Sequence, residues 1–179
     1  MEKDPEKIIV PTLEAFKNSK NLLVIAATGG SQTAELKARY PQENIIIEDF
    51  IPFEDVMPYA DVYITNGGYG GVMLAIQHWL PMVVAGVHEG KNEINARVGY
   101  FKLGINLKTE KPIPMRIRKS VGEVLSNNIY RNNVKQLSKE FSLYDPQKLC
   151  ASYIADILNP DAEAKRSAFD SEKMKFAEN

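Results

Sequence analysis

The stretch DVYITNGGYGGVMLAIQHW, residues 61–79, decides the fold of this chain. It joins a short β-branched run to a glycine-rich loop and then to an apolar segment with helical periodicity, which predicts a strand, a tight turn and a helix. The four glycines of NGGYGG let the backbone approach a ligand closely, and a helix start offers free N–H groups to an anion. Residues 66–71 are therefore interpreted as a phosphate-binding loop, with a flexible turn that binds no ligand as the alternative.

The same alternation of strand and helix extends in both directions from this stretch. Strands are predicted at 21–27, 44–48, 61–65, 81–86 and 104–107, with helices at 4–18, 31–39, 54–58, 70–79, 92–101, 115–125, 130–141 and 145–158. Because crossover helices return each strand in the same direction, this order predicts an α/β, Rossmann-like, doubly wound parallel sheet. We expect one domain over 1–158 and a polar tail over 159–179, frayed or docked on an absent domain.

The composition excludes several classes of function. The chain has 179 residues and a net charge of -1, so no basic field attracts nucleic acid. A single cysteine excludes an internal disulfide framework and a cysteine-based zinc site, and the two histidines, His78 and His88, lack metal-ligand spacing. Because of these cysteine and histidine positions, we expect no bound metal. The sequence shows no signal peptide and no apolar run long enough to span a membrane, so we expect a cytoplasmic protein.

Two further loops are predicted at the carboxyl ends of the strands, the edge where ligands bind in such sheets. In segment 49–61, the Phe50 ring can stack on a nucleobase, and the backbone of Ile51, extended before a proline, can pair with the base edge. Packing of Phe50 in the core is the alternative. Residues 27–31, ATGGS, open another helix, with Ser31 as the predicted N-cap.

Segment 86–98, GVHEGKNEINARV, is the third candidate loop. Glu89 can accept hydrogen bonds from sugar hydroxyls, Lys91 can pair with a phosphate, and Asn92 or Asn95 can do either. A solvated loop with an N-cap is the alternative. No nucleophile elbow, Walker A motif or paired carboxylates occur in the sequence, so it predicts no catalytic residue.

Taken together, residues 44–107 resemble the C-terminal domain of the UDP-glycosyltransferase superfamily, especially bacterial macrolide-type members with the GT-B fold. That family shows Trp-x-Pro-Gln, a strand, Thr-His-x-Gly-x-x-Ser-x-Glu, Gly-x-Pro-Met and an Asp-Gln/Asn-Ala loop. The corresponding stretches here are FIPF, DVYIT, NGGYGGVML, WLPMVVAG and EGKNEINARV.

The resemblance implies a role for individual residues. Phe50 stands where the family has its base-stacking Trp, and Asn66 where it has the His that contacts pyrophosphate. Phe53, Val72 and Leu74 replace polar residues of the family pattern, so UDP and dTDP both remain open as the nucleotide. The predicted nucleotide-sugar site comprises Phe50, Ile51, Asn66, Gly67, Gly68, Gly70, Gly71, Val72, Glu89, Lys91 and Asn92.

The implied activity is inverting transfer of a hexose from a UDP- or dTDP-sugar to an acceptor hydroxyl. The nucleotide-sugar is the donor substrate, and no separate cofactor is implied. In the family a His–Asp base and the site for a small-molecule or lipid acceptor belong to an N-terminal domain. This sequence lacks that domain, so we expect a fragment that is inactive alone. Family domains also open with a strand before the helix that begins here near Asp4, which predicts a gap between the strands near 21–27 and 61–65.

Three alternatives remain. The chain is a non-catalytic nucleotide-sugar-binding subunit that pairs with a separate acceptor-domain partner, a sugar-nucleotide epimerase of the GT-B fold, or a Rossmann-like interaction module without a ligand. An epimerase would want acidic and histidine side chains at the donor site, where Asn66 and Leu74 stand.

Overall fold

The computed structural model describes residues 4–158. These residues fall into two compact units that divide after Ser138. The first contains all five strands and most of the helices, and the second contains the helix Pro146–Leu158. The predicted polar tail, 159–179, lies outside the described residues. The single domain predicted over 1–158 stays a prediction.

The strands and helices follow the predicted order with shorter ends. The strands are β1 Val24–Ala27, β2 Ile45–Glu48, β3 Tyr63–Thr65, β4 Met82–Val84 and β5 Gly104–Asn106. The helices are α1 Ile9–Phe16, α2 Thr33–Arg39, α3 Phe53–Val56, α4 Tyr69–Gln77, α5 Lys91–Tyr100, α6 Pro114–Ser126, α7 Asn128–Phe141 and α8 Pro146–Leu158. A 3-10 turn, Met57–Tyr59, continues α3.

Every strand pair is parallel, as the alternation predicts. β1 pairs with β2, and β3, β4 and β5 form a second sheet in that order. Within residues 4–158, β1 and β3 do not pair, so the sheet is divided at the position where the sequence predicted a gap. The parallel strands nevertheless share one α/β arrangement, and the predicted fold class is confirmed.

Helices cover both faces of the β3–β5 sheet and one face of the β1–β2 pair. One face of β3–β5 packs against α1 and α6, and the opposite face packs against α4, α5 and α7. This sheet is therefore covered on both faces, which matches its continuous apolar strands. The β1–β2 pair is buried on one side through Ile45 and Ile47, against α1 and α2, while its other side leaves Ile25 and Ile46 exposed.

Two predicted helix starts are wrong. The first helix was expected from Asp4, but regular α-helix begins at Ile9, because Pro11 has no N–H to donate to the preceding turn. Asp4 Oδ1 still accepts a hydrogen bond from the Glu6 amide at 3.0 Å. Ser31 was expected to cap α2, but Gln32 is the N-cap, with a φ of 56° and no side-chain hydrogen bond to the helix.

Candidate functional site

Loops that follow β3 and β4 meet at the carboxyl end of the sheet. A Cβ added to Gly86 would lie 2.3 Å from the carbonyl oxygen of Asn66, so these backbones are in close contact. The Asn95 side chain donates to both loops, at 3.3 Å to the Asn66 oxygen and 2.9 Å to the Gly86 oxygen. The structure thus brings together the predicted phosphate loop and the segment that carries Glu89 and Lys91.

The turn after β3 is fixed by local hydrogen bonds and leads directly into α4. Gly67 takes a φ of 83°, and its amide donates to Thr65 Oγ1 at 3.3 Å. The Gly68 amide donates to Asn66 Oδ1 at 3.1 Å. The first bond of α4 runs from the Val72 amide to the Gly68 oxygen, so the amides of residues 69–71 have no acceptor within the helix. Three amide donors without an acceptor in the helix, at its positive end, are suited to hold an anion.

Val72 differs from these three residues in its surroundings, and its predicted role in the nucleotide-sugar site stays a prediction. Its amide donates a hydrogen bond to the Gly68 carbonyl oxygen, and its side chain is buried in the core below α4. The family resemblance placed it among the contacts because Val72 occupies the position of a polar residue. Here an apolar side chain at that position packs inward, because nothing polar remains to draw it to the surface.

Lys91 lies against Gly86 in the loop that follows β4. Its side chain is only 13% exposed, and its Cδ would lie 3.4 Å from a Cβ on Gly86. Its Nζ is 2.6 Å from Glu89 Oε2, and the Glu89 side chain is exposed. The ammonium therefore already has a carboxylate partner. Asn92 is exposed in the first turn of α5, next to this pair.

Phe50 follows β2 and points to solvent, with 74% of its surface exposed. The core-packing alternative for Phe50 is therefore wrong. Phe53 instead packs edge-on against Tyr63, with ring centroids 6.2 Å apart. Ile51, which follows Phe50 in sequence, is half-buried. An exposed ring at the ligand edge can stack on a base, which stays a prediction for Phe50.

The loop after β1 is fastened to the end of β2. The hydroxyls of Thr28 and Thr33 are 2.5 Å apart, and the Thr33 hydroxyl also contacts the Asp49 carboxylate. The Gly29 amide donates to the backbone carbonyl oxygen of Asp49 at 2.8 Å. These bonds give loop 28–33 a fixed shape beside Phe50.

Glu110 is a site residue that the sequence did not single out. Its Oε1 accepts hydrogen bonds from the amides of Val87 and His88, at 2.5 and 3.0 Å, and Lys7 lies 3.6 Å away. The Val87 N–H, with smaller contributions from His88 and Lys7, lowers the pKa of this carboxyl against the opposing effect of burial. Glu110 therefore fixes the shape of the loop after β4. No spacing in the sequence links it to that loop.

Neither histidine has a metal-site environment. His78 Nε2 is 3.0 Å from Glu54 Oε2 at the end of α4. Within the described range, 4–158, no group of three or more His, Cys, Asp or Glu residues is arranged to hold a metal ion. The helices in that range include none long and apolar enough to cross a bilayer.

Residues 20–155 match the family model described as "Erythromycin biosynthesis protein CIII-like, C-terminal domain". The chain belongs to this family. The match covers the whole sheet and every loop of the candidate site, and it confirms the resemblance derived from the motifs.

Curated relatives of this family are longer proteins. The chain is 34% identical over 151 residues to UDP-glycosyltransferase 2 of Phaeomoniella chlamydospora, covering 84% of this chain and 33% of the relative. It is 35% identical over 142 residues to 4'-demethylrebeccamycin synthase of Lentzea aerocolonigenes, covering 79% of this chain and 32% of the relative. The chain thus spans about a third of the length of these relatives.

Solved structures with the same fold are glycosyltransferases. The glycotransferase of kitacinnamycin superimposes with a TM-score of 0.74 at 21% identity, covering 87% of this chain and 40% of that one. The calicheamicin glycosyltransferase gives 0.74 at 22% identity, with coverage of 86% and 38%. The fold of this family member is that of a GT-B C-terminal domain.

Proposed function

We propose that this chain is the donor-binding domain of an inverting glycosyltransferase that transfers a hexose from a UDP- or dTDP-sugar to an acceptor hydroxyl. The observation that carries the proposal is the turn at residues 66–71, which presents three free amides at the start of α4. Lys91 lies against Gly86, which contacts Asn66 of that turn, and its ammonium is to exchange the exposed Glu89 carboxylate for a phosphate when the donor binds. A diphosphate is the ligand that suits both features.

The rest of the donor is assigned by position along the same edge. The exposed Phe50 ring stacks on the nucleobase, and the Ile51 backbone lies beside the base edge. Glu89 and Asn92, exposed near Lys91, contact the sugar hydroxyls. The relative whose structure was solved "in complex with DTDP" shares the fold at a TM-score of 0.65 and 18% identity. It supports keeping dTDP beside UDP.

The chemistry assigned to this domain is stabilisation of the leaving diphosphate. Negative charge develops on the diphosphate as the anomeric bond breaks, and backbone amides with Lys91 stabilise that charge. The donor sugar is a substrate, so the proposal invokes no resident cofactor. The general base and the acceptor site are assigned to a separate acceptor domain, since the chain spans about a third of its relatives.

The test is titration of the isotopically labelled chain with UDP, dTDP and GDP. Binding should shift the amide resonances of Gly68 to Gly71 and of Phe50, and the nucleotide that binds tightest identifies the base. If none of the three shifts the Gly68–Gly71 amides, the donor-binding proposal is wrong and the ligand-free module remains.

A donor-binding subunit that pairs with a separately encoded acceptor-domain partner uses the same site. Coverage of about a third of each relative favours neither arrangement over the other. Co-purification from the native source separates them, because only the subunit returns with an acceptor-domain protein. An epimerase is disfavoured, since Leu74 packs against the core and Asn66 Oδ1 is occupied by the Gly68 amide.

A further inference from the structure

We propose that Asn95 is a positioning residue that holds the turn at residues 66–68, and through it the free amides of α4, in the geometry that phosphate binding requires. The inference rests on the proposed function, because it takes a nucleoside diphosphate as the ligand of those amides. From the sequence, Asn95 was a candidate to contact the sugar or phosphate itself. Its side chain is 0% exposed, so it acts from beneath the site.

Hydrogen bonds fix the orientation of the Asn95 amide. Its Nδ2 donates to the backbone oxygens of Asn66 and Gly86, one in each of the two loops. A carbonyl oxygen only accepts hydrogen bonds, so Nδ2 and not Oδ1 must face this pair. One side chain of α5 therefore ties the loop after β3 to the loop after β4.

Close packing against Gly67 makes the tie rigid. A Cβ on Gly67 would lie 1.8 Å from Asn95 Oδ1 and 2.6 Å from Nδ2, and Gly67 has a φ of 83°. The hydrogen that glycine carries in place of Cβ thus points at the Asn95 amide, a weak C–H to oxygen contact. Only glycine fits between Asn66 and Asn95 in this conformation.

Asn95 Oδ1 has no hydrogen-bond partner among the described residues, although it is buried. A buried acceptor without a partner is unfavourable, and such groups persist where the surrounding structure requires them. An apolar residue would avoid this cost but would leave two loop carbonyls without a donor. Packing of α5 alone does not require an asparagine at this position. The two loop carbonyls that need a hydrogen-bond donor explain why it is there.

The turn in question leads directly to the free amides. Asn66 accepts from the Gly68 amide through its own side chain, and Gly68 is the N-cap of α4. Displacement of the Asn66 carbonyl therefore moves the residue that starts the helix. Loss of the tie should change diphosphate binding more than it changes binding of the nucleoside, which contacts Phe50 instead.

The experiment compares Asn95→Ala and Asn95→Asp with Val98→Ala in the full 179-residue chain. Asp keeps the shape of the side chain but offers no donor when ionised. Val98, three residues further along α5, is buried in the core, and its apolar side chain offers no hydrogen bond to either loop carbonyl, so it controls for lost helix packing. The probes are UDP, dTDP, uridine and thymidine, with amide hydrogen exchange of residues 67–71 measured in the ligand-free chain.

The two Asn95 variants should raise the Kd of the tighter diphosphate by about tenfold, the equivalent of one hydrogen bond, with the nucleoside Kd unchanged. Amide exchange at residues 67 and 68 should accelerate without ligand. Val98→Ala should change the diphosphate Kd and the exchange rates at residues 67 and 68 by less than about twofold. If Asn95→Ala does not fold, Asn95→Ser retains one donor and should give a smaller change in the same direction.

Equal losses of diphosphate affinity in Val98→Ala and Asn95→Ala would reduce Asn95 to a packing residue. Unchanged exchange at residues 67 and 68 in the ligand-free Asn95 variants would also overturn the proposal. If the wild-type chain binds neither diphosphate, the proposed function fails. The exchange data then still decide whether Asn95 holds the turn.

Discussion

Phe50 presents an aromatic ring to solvent directly after β2, with 74% of its surface exposed. Burying such a ring would be favourable, so its exposure at the carboxyl end of a parallel strand is what the proposed base-stacking role requires. Phe53, three residues later, instead packs against Tyr63.

Substitution Phe50→Ala should weaken UDP or dTDP binding by about 1 to 3 kcal/mol, because a base loses its stacking surface. The free energy of unfolding should change little, since the ring is exposed. Calorimetric titration and urea unfolding measure the two effects. Tyr59→Ala is the matched control, because Tyr59 is 88% exposed on the same segment. Equal affinity of Phe50→Ala and wild type would remove the stacking role.

At the scale of the elements, the start of α4 combines two glycines with different surroundings. A Cβ on Gly71 would lie 3.0 Å from the Tyr63 hydroxyl, whereas a Cβ on Gly70 would meet nothing within 4 Å. Gly70 is in the first turn of the helix without a positive φ, so its conformation does not require glycine. The open space beside it is where the proposed phosphate lies.

Substitution Gly70→Ala should therefore separate stability from binding. Alanine lowers the entropy of the unfolded chain and should stabilise the fold by about 0.4 to 1 kcal/mol. The added methyl group should at the same time weaken diphosphate binding. Gly122→Ala in α6 is the control, because a Cβ there also meets nothing, and it should stabilise without changing affinity. Thermal unfolding and titration report both quantities; undiminished affinity in Gly70→Ala would place the phosphate elsewhere.

The loop after β4 depends on a carboxylate from the loop after β5. The pKa of Glu110 is lowered chiefly by the Val87 N–H, so Glu110 stabilises the fold when ionised. This contribution to stability is fully present above the pKa that the Glu110 carboxyl has in the unfolded chain, about 4.3. It is lost as the pH falls through the lower pKa that the same carboxyl has in the folded state.

Substitution Glu110→Gln should cost about 1 to 3 kcal/mol near neutral pH, because two amides lose a charged acceptor. The cost should shrink as the pH falls below about 4, where wild type loses the same charge. Urea unfolding at a series of pH values measures this difference. Glu93→Gln, which breaks an exposed pair with Arg97, should cost less than about 0.5 kcal/mol. A cost in Glu110→Gln that does not depend on pH would contradict the account.

At the scale of the whole molecule, the described residues supply a divided sheet and the proposed donor site. The two sheets are joined by shared helices, since Val24 of β1 and Ile64 of β3 contact the same core cluster under α1 and α6. Relatives about three times as long as the matched segment include parts that this chain does not span.

The chain by itself should bind a nucleotide-sugar but transfer no sugar. Because the base and the acceptor site are proposed to lie in a separate domain, the only nucleophile that reaches the donor is water that no base activates. Incubation with UDP-glucose and dTDP-glucose, followed by assay of released nucleoside diphosphate, checks this expectation. Sustained release of UDP or dTDP well above the rate without protein would show that residues of this chain activate a nucleophile.

The order of elements and the site loops could be read from the sequence, because both depend on local signals. Alternating apolar runs and helical periods predict the parallel α/β fold, and the glycines between β3 and α4 mark the tight turn that opens the helix. Helix starts were less accurate, since Pro11 and the hydroxyl contacts of Thr33 shift them by interactions that periodicity does not report.

Only the tertiary structure decided which side chains of the candidate site are exposed and which are buried beneath it. Phe50 and Val72 are both apolar residues near glycine-rich or proline-rich turns, yet one is exposed and the other is in the core. Asn95 and Glu110 act on loops 29 and 22 residues away in sequence, through hydrogen bonds to backbone groups. Local sequence patterns carry no information about such contacts, because burial and distant pairing arise only when the elements pack together.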